Sequence, residues 1–315
     1  MDKKRLIFFG TSRFAEIILE SLLKNDDFEV CAIVTKPDKP AGRKKILTPS
    51  VVKKLAQKNE IIVFQPEKLK DQEFTEKIRD LKPKIIVVAS YGKIIPKEIL
   101  GIPEFGCLNV HGSLLPEYRG ASPIQFALLD GKKETGITIM LMDEGMDTGP
   151  ILLQKKIGID LEDNLLSLSE KMAHLGAELL KEALPKWISG EITPQKQDNS
   201  SATYSKISQS GDFEINWGEM SRKIANRIRA FYPNAFGMVK FGGKSVRMKV
   251  LEVKEYGSAE EEQCKGKKIE TGSLFKIGKK LFCLCGDGAL ELIIIQPEGK
   301  KPMSGKDFLN GHPEI

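Results

Sequence analysis

The chain opens on a short, continuous apolar run, Leu6–Phe9, the pattern of a strand buried on both faces. After Gly10-Thr11-Ser12, apolar residues recur at helical spacing across Phe14–Leu23. The alternation then repeats. Val30–Thr35 reads as a strand, Ser50–Lys58 as a helix, Ile61–Phe64 as a short strand, Glu73–Leu81 as a helix and Ile85–Ala89 as a strand. Strands alternating with helices imply a doubly wound, mostly parallel sheet. In such sheets the ligand crevice lies beyond the carboxyl ends of the strands. Ile137–Met142 is expected to be a further strand. Asp163–Leu184 reads as a long amphipathic helix with Leu165, Leu168, Met172, Leu175, Leu179 and Leu180 on or near one face.

The pattern changes after Ser189. Gly190, Pro194, Asn199, Ser200 and Ser201 punctuate a stretch of low apolar content, read as a linker over 190–209. A helix across Glu219–Phe231 follows, with Ile224, Ile228 and Phe231 on one stripe. The runs Gly237–Phe241, Val246–Val253, Ser273–Ile277, Leu281–Cys285 and Leu290–Gln296, separated by turn residues, predict a small antiparallel barrel. Two domains are therefore expected, 1–189 and 210–315.

Composition narrows the classes. A chain of 315 residues that is 41% apolar and 29% charged has the balance of an ordinary globular protein. No apolar run approaches the roughly 20 residues of a membrane span, and the first one is too short for a signal peptide. A cytoplasmic protein is expected. The five cysteines lack a repeated Cys-x-x-Cys spacing, which argues against a disulfide framework and against a metal site. Ser12 and Ala15 stand where a dinucleotide fingerprint after Gly10 needs glycines, which argues against a nicotinamide cofactor. The net charge of +6 sits mostly at the end. Residues 201–315 carry 19 Lys and Arg against 14 Asp and Glu, as expected for a part that meets a polyanion.

The candidate chemistry lies in Leu108–Pro116 and Asp143–Pro150. Side chains two apart in a strand point the same way, so Asn109 and His111 project together while Val110 turns into the core. An amide donor beside an imidazole suits a carbonyl whose oxygen becomes negative. Asp147 is placed to orient the imidazole or take a proton, although an Asp near Gly149 can also simply cap its own turn. His174, inside the amphipathic helix, is read as a core residue. The chemistry indicated is acyl transfer.

Asn109-Val110-His111, Ser113-Leu114-Leu115-Pro116, Arg119-Gly120, Pro123-Ile124 and Asp147-Thr148-Gly149 together resemble the folate-dependent formyltransferase family. Phe9-Gly10-Thr11, Lys36-Pro37-Asp38 with Ala41-Gly42-Arg43, the run Arg227–Phe231 with Pro233, and Met303-Ser304 with Leu309-Asn310-Gly311 resemble those members that act on methionyl initiator tRNA. The resemblance implies a Rossmann-like first domain and an OB-like, tRNA-binding second one. It also implies direct passage of formyl from 10-formyltetrahydrofolate, the co-substrate, to the amine of methionine on that tRNA. Asn109 and His111 would hold the oxyanion, and Asp147 would orient His111 or accept the amine's proton. Ser113, Leu114, Leu115 and Pro116 would line the folate pocket, with Ser90–Ile95 and Met142–Gly145 gripping the pterin. Arg43, Lys44 and Lys45 would meet the tRNA, and a monomer is implied. Glu117, Tyr232–Phe236 and Gly311-His312 depart from the family pattern. Formylation of another amine, hydrolysis of formylfolate and non-catalytic folate or RNA binding are the rival functions.

Overall fold

The computed structural model describes residues 3–42, 45–255 and 270–315. Contacts divide the chain into two compact units. The first comprises Met1–Pro123, Glu134–Gly158 and Leu168–Lys206, and the second Ile124–Lys133, Ile159–Ser167 and Ile207–Ile315.

The strands and helices run β1 Lys4–Gly10, α1 Arg13–Leu23, β2 Phe28–Val34, β3 Lys39–Ala41, β4 Ile46–Thr48, α2 Val51–Lys58, β5 Ile62–Phe64, α3 Gln72–Asp80, β6 Ile85–Ala89, α4 Lys97–Leu100, β7 Cys107–His111, β8 Arg119–Gly120, α5 Pro123–Leu129, β9 Glu134–Leu141, β10 Ile151–Gly158, α6 Leu165–Ile188, β11 Tyr204–Ser205, α7 Ser221–Ala230, β12 Phe236–Phe241, β13 Lys244–Glu255, β14 Leu274–Ile277, β15 Lys280–Leu284, β16 Ala289–Pro297, β17 Met303–Ser304 and α8 Gly305–Asn310.

The first unit is built on a seven-stranded sheet of order β10-β9-β7-β6-β1-β2-β5. β5, β2, β1, β6 and β7 are parallel, while β9 runs antiparallel to β7 and β10 antiparallel to β9. Leu6, Ile7, Phe8 and Phe9 are all fully buried, as the unbroken apolar run requires of a central strand. Ile7, Phe9, Ile86, Val88 and Cys107 pack with Phe74 and Ile78 of α3 and Ile99 of α4. Another face meets α6, where a β-carbon added at Gly176 would lie 2.9 Å from Val110 Cγ1. The long helix passes the expected stop at Leu184 and continues through Pro185 to Ile188. Trp187 Nε1 donates to the Phe105 carbonyl at 2.8 Å, a tertiary anchor for this last turn. The charged loop after β2 folds into the hairpin β3–β4, with Ile46 and Leu47 exposed.

In the second unit the antiparallel sheet has the order β12-β13-β16-β15-β14, with β17 added to β16. A bridge between Lys240 and Ser273 brings its edges together, so the sheet curls as a small barrel. α7 places Ile224 and Ile228 in the core beside Met248, Val250, Leu290 and Ile295. Residues 124–133 and 159–167 group here rather than following the linear division expected at 189 and 210, and α7 gives the reason. Asn226 Nδ2 donates to the Leu129 carbonyl at 3.4 Å, and the second segment is held by Arg229. Its guanidinium reaches back to the Asp163 carbonyl at 2.6 Å and the Asp160 carbonyl at 2.8 Å.

The stretch expected as a linker is tied down within the first unit. Gln195 exchanges backbone hydrogen bonds with Ile151, and β11 pairs with β8. The low apolar content there belongs to a strap whose backbone is paired and whose polar side chains, Gln197 and Asn199, are spent on Arg119.

Candidate active site

β7 is flanked in the sheet by β6 and β9, with Asn109 opposite Val88 on one side and Met140 on the other. Alternation turns Asn109 and His111 to the face opposite Val110. Asn109 is half-buried, whereas His111 is only 5% exposed. His111 Nε2 lies 3.0 Å from the Tyr118 carbonyl. A carbonyl can only accept, so Nε2 carries the hydrogen and Nδ1 is the nitrogen left to gain or lose a proton. Nδ1 faces Asp147 Oδ2 at 3.7 Å. The resemblance assigns both Asn109 and His111 to the oxyanion. Here one imidazole nitrogen is already taken up by the backbone.

Asp147 reaches this place from the loop between β9 and β10. Its backbone is left-handed, with φ of 53°. Oδ1 accepts from Asn109 Nδ2 at 3.3 Å and Oδ2 from the Gly120 N–H at 2.7 Å. Capping of the local turn falls instead to Asp143, whose Oδ1 accepts from Gly145 N–H at 3.0 Å and Thr148 Oγ1 at 2.7 Å. The Asp147 carboxylate is thereby left to bridge outward, and amide, imidazole and carboxylate converge. Gly120 must be glycine, since its φ is +109° and a β-carbon would run into the Ser205 carbonyl.

The other expected site residues fall differently. Ser113 is buried, its Oγ donating to the Glu117 carbonyl at 2.5 Å, and Leu115 is buried with its N–H on Thr138 Oγ1 at 3.1 Å. The Ser113 hydroxyl and the Leu115 N–H both brace the loop that carries Tyr118. Leu114 and Pro116 are half-buried. Arg43 and Lys44 lie outside the described residues, while Lys45 is exposed at the hairpin turn. The base of that hairpin is clamped. Lys53 Nζ donates to Asp38 Oδ2 at 2.8 Å and Gln65 Oε1 at 2.7 Å, and Gln65 Nε2 donates to Asp38 Oδ1 at 2.7 Å. Those hydrogen bonds from Lys53 and then Gln65 hold the Asp38 carboxyl below its ordinary range. Nearby, burial and then the charges of Lys39 and Lys93 lower the Lys36 ammonium. Among the described residues, no three His, Cys, Asp or Glu side chains gather as a metal site, and no helix is long and apolar enough to cross a membrane.

Two residues take on roles that the sequence alone does not assign them. Arg119 is 1% exposed, its guanidinium held by the Gln197 and Asn199 amide oxygens. Gln197 also donates to the Asp147 carbonyl at 2.9 Å and the Gly149 carbonyl at 2.7 Å. No periodicity marks a glutamine inside a polar stretch, so only the fold could find it.

The formyl transferase family model matches residues 4–184, and the model of the formyl transferase C-terminal domain matches residues 206–313. The chain belongs to the formyl transferase family. Relatives named methionyl-tRNA formyltransferase include those of Caldicellulosiruptor saccharolyticus and Thermodesulfovibrio yellowstonii. The first is 46% identical to this formyl transferase, covering 98% of this chain and 96% of its own length. The second is 44% identical over 97% and 95%. Among solved structures, an N-formyltransferase of Helicobacter canadensis in complex with folinic acid and dTDP-3-aminofucose has the same fold. It aligns with a TM-score of 0.65 at 22% identity over 94% of this chain and all of that one. HypX of Aquifex aeolicus in complex with tetrahydrofolic acid aligns at 0.63 and 15% identity, over 98% of this chain and 47% of that one.

Proposed function

We propose that this formyl transferase moves the formyl group of 10-formyltetrahydrofolate to the free amine of methionine on initiator methionyl-tRNA, for translation initiation. The relatives named above, similar over nearly their whole length, support the acceptor. The observation that carries the mechanism is the Asp147 carboxylate, set between the amide of Asn109 and the imidazole of His111.

The residues around Asn109 suit a folate. Ser90 follows the β6 strand that pairs with Asn109 on one side, and Met142 follows the β9 strand that pairs with it on the other. Tyr91 Oη is buried among the described residues without a hydrogen-bond partner, in the cluster against which Met142 packs. The loops Ser90–Ile95 and Met142–Gly145 would hold the pterin. The folate supplies the formyl carbon.

Asn109 has one amide hydrogen on Asp147 and a second to give to the formyl oxygen as that oxygen becomes negative. His111 supports the same charge when Nδ1 is protonated. Asp147 and His111 together take the proton that the amine loses as its nitrogen bonds to the formyl carbon. They return it to the folate nitrogen as the old carbon–nitrogen bond breaks, so atoms and charge balance. Domain 1–189 performs the chemistry in this reading, while domain 210–315, together with Arg43, Lys44 and Lys45, meets the tRNA. The protein acts as a cytoplasmic monomer, without a metal.

Mass spectrometry of the acceptor tests the reading. Charged initiator tRNA incubated with formylfolate and the protein should gain one formyl group, and amino-sugar nucleotides should gain none. Formate released without a formylated acceptor would replace transfer by hydrolysis.

A further inference from the structure

Gln197 lies in the strap between Gln195 and Tyr204 and is 6% exposed. Its amide is fully committed. Nε2 uses both hydrogens, on the carbonyls of Asp147 and Gly149, and Oε1 accepts from Arg119 Nε at 3.1 Å and Nη2 at 2.8 Å. Arg119 fixes which way round the amide stands, because a flipped Gln197 would aim its oxygen at two carbonyl oxygens. The two carbonyls belong to the segment in which Asp147 adopts left-handed backbone, a conformation disfavoured for residues other than glycine. The Gly120 N–H holds the carboxylate of Asp147, and Gln197 holds its backbone.

We propose that Gln197 is a positioning residue for formyl transfer, keeping the Asp147 carboxylate where it meets Asn109 and His111. The proposal rests on the catalytic reading of Asp147. Without the amide hydrogens, two carbonyls lose their donors, the Asp147–Gly149 segment relaxes and the carboxylate leaves Asn109. A displacement of about 1 Å at a reacting group costs on the order of a hundredfold in rate.

Two variants separate the parts. Q197L removes the amide. Q197E keeps an acceptor oxygen for Arg119 but sets a second oxygen against the two carbonyls, so it retains the buried anchor and turns the grip on the loop into repulsion. Both should lower kcat about 10- to 100-fold, with KM for each substrate within about twofold of wild type. In a D147N background, Q197E should cost less than about a further twofold, because both changes act through one group. A crystal structure of Q197E should show Asp147 out of left-handed backbone and its carboxylate away from Asn109 Nδ2. Unchanged kcat, full additivity with D147N, or Asp147 still in place in that structure would each overturn the proposal. The structural readout needs no substrate, so it stands even if wild-type protein fails to formylate methionyl-tRNA, an outcome that strikes the functional reading alone.

Discussion

An amide beside a carboxylate has one hydrogen held and one to spend, and that division gives Asn109 its expected role. Nδ2 is tied to Asp147 Oδ1, which fixes the amide plane while leaving the second hydrogen for a developing oxyanion. Asn109→Ala should lower kcat about 10²- to 10³-fold, the usual loss for one such donor, and leave both KM values near wild type. Asn109→Asp should be no better, since it replaces the donor by an acceptor beside the Asp147 carboxylate. Steady-state kinetics over both substrates decides this, and a KM effect without a kcat effect would make Asn109 a binding residue instead.

At the scale of elements, the position of β7 depends on how closely α6 approaches it. Gly176→Ala sets two effects against each other. A mid-helix alanine gains about 1 kcal/mol over glycine, whereas an extra methyl in a packed core costs about 1–3 kcal/mol. The contact falls on Val110, a stiff β-branched side chain in β7, so the cost should win. The variant should unfold at lower urea and lose kcat, because Val110 sits between Asn109 and His111. Adding Val110→Ala should restore part of the stability. The hairpin clamp offers a pH test. Hydrogen bonds from Lys53 and Gln65 lower the Asp38 carboxyl, so its stabilising contribution is present above the ordinary value of 3.8 and disappears as pH falls through the lower folded value. The stability difference between wild type and Asp38→Asn should therefore be constant near neutrality and vanish in acid. A difference that survives full protonation would assign it to packing. These elements also show what the sequence made legible. Asn109, His111 and Asp147 could be found because each sits in a strand end or Gly-rich loop with a local pattern. β10 and the β3–β4 hairpin could not, because Gln154, Lys155 and Lys156 break the apolar pattern of β10, while β3 and β4 are three residues each with Pro40 in the first. The last turn of α6 was hidden by Pro185, and its anchor, the Phe105 carbonyl, is far away in sequence. Gln197 works only through residues brought to it by the fold, so no local signal exists to read.

For the whole molecule, the question is what kind of grip a chain of this composition can have on a tRNA. Aromatic residues are 7% of the chain, and no cluster suited to stacking bases stands out in the sequence, so recognition should be directed mainly at phosphates. The net charge of +6 is modest, yet 19 cationic side chains against 14 acidic ones in residues 201–315 concentrate it. The β3–β4 hairpin loop is a second basic element, carrying Lys45 exposed at its turn. Phosphate contacts release counterions, which makes log affinity fall linearly with log salt, and about four such contacts would cost about a hundredfold between 50 and 200 mM salt. The KM for charged tRNA should rise on that scale, whereas binding of the formyl donor, which we propose is held by the Ser90–Ile95 and Met142–Gly145 loops, should change little over the same range. Measuring both in one salt series separates the two interactions. A flat response for tRNA would remove phosphate contacts as the source of affinity, and an equal response for the folate would mean that salt perturbs the fold rather than the interface.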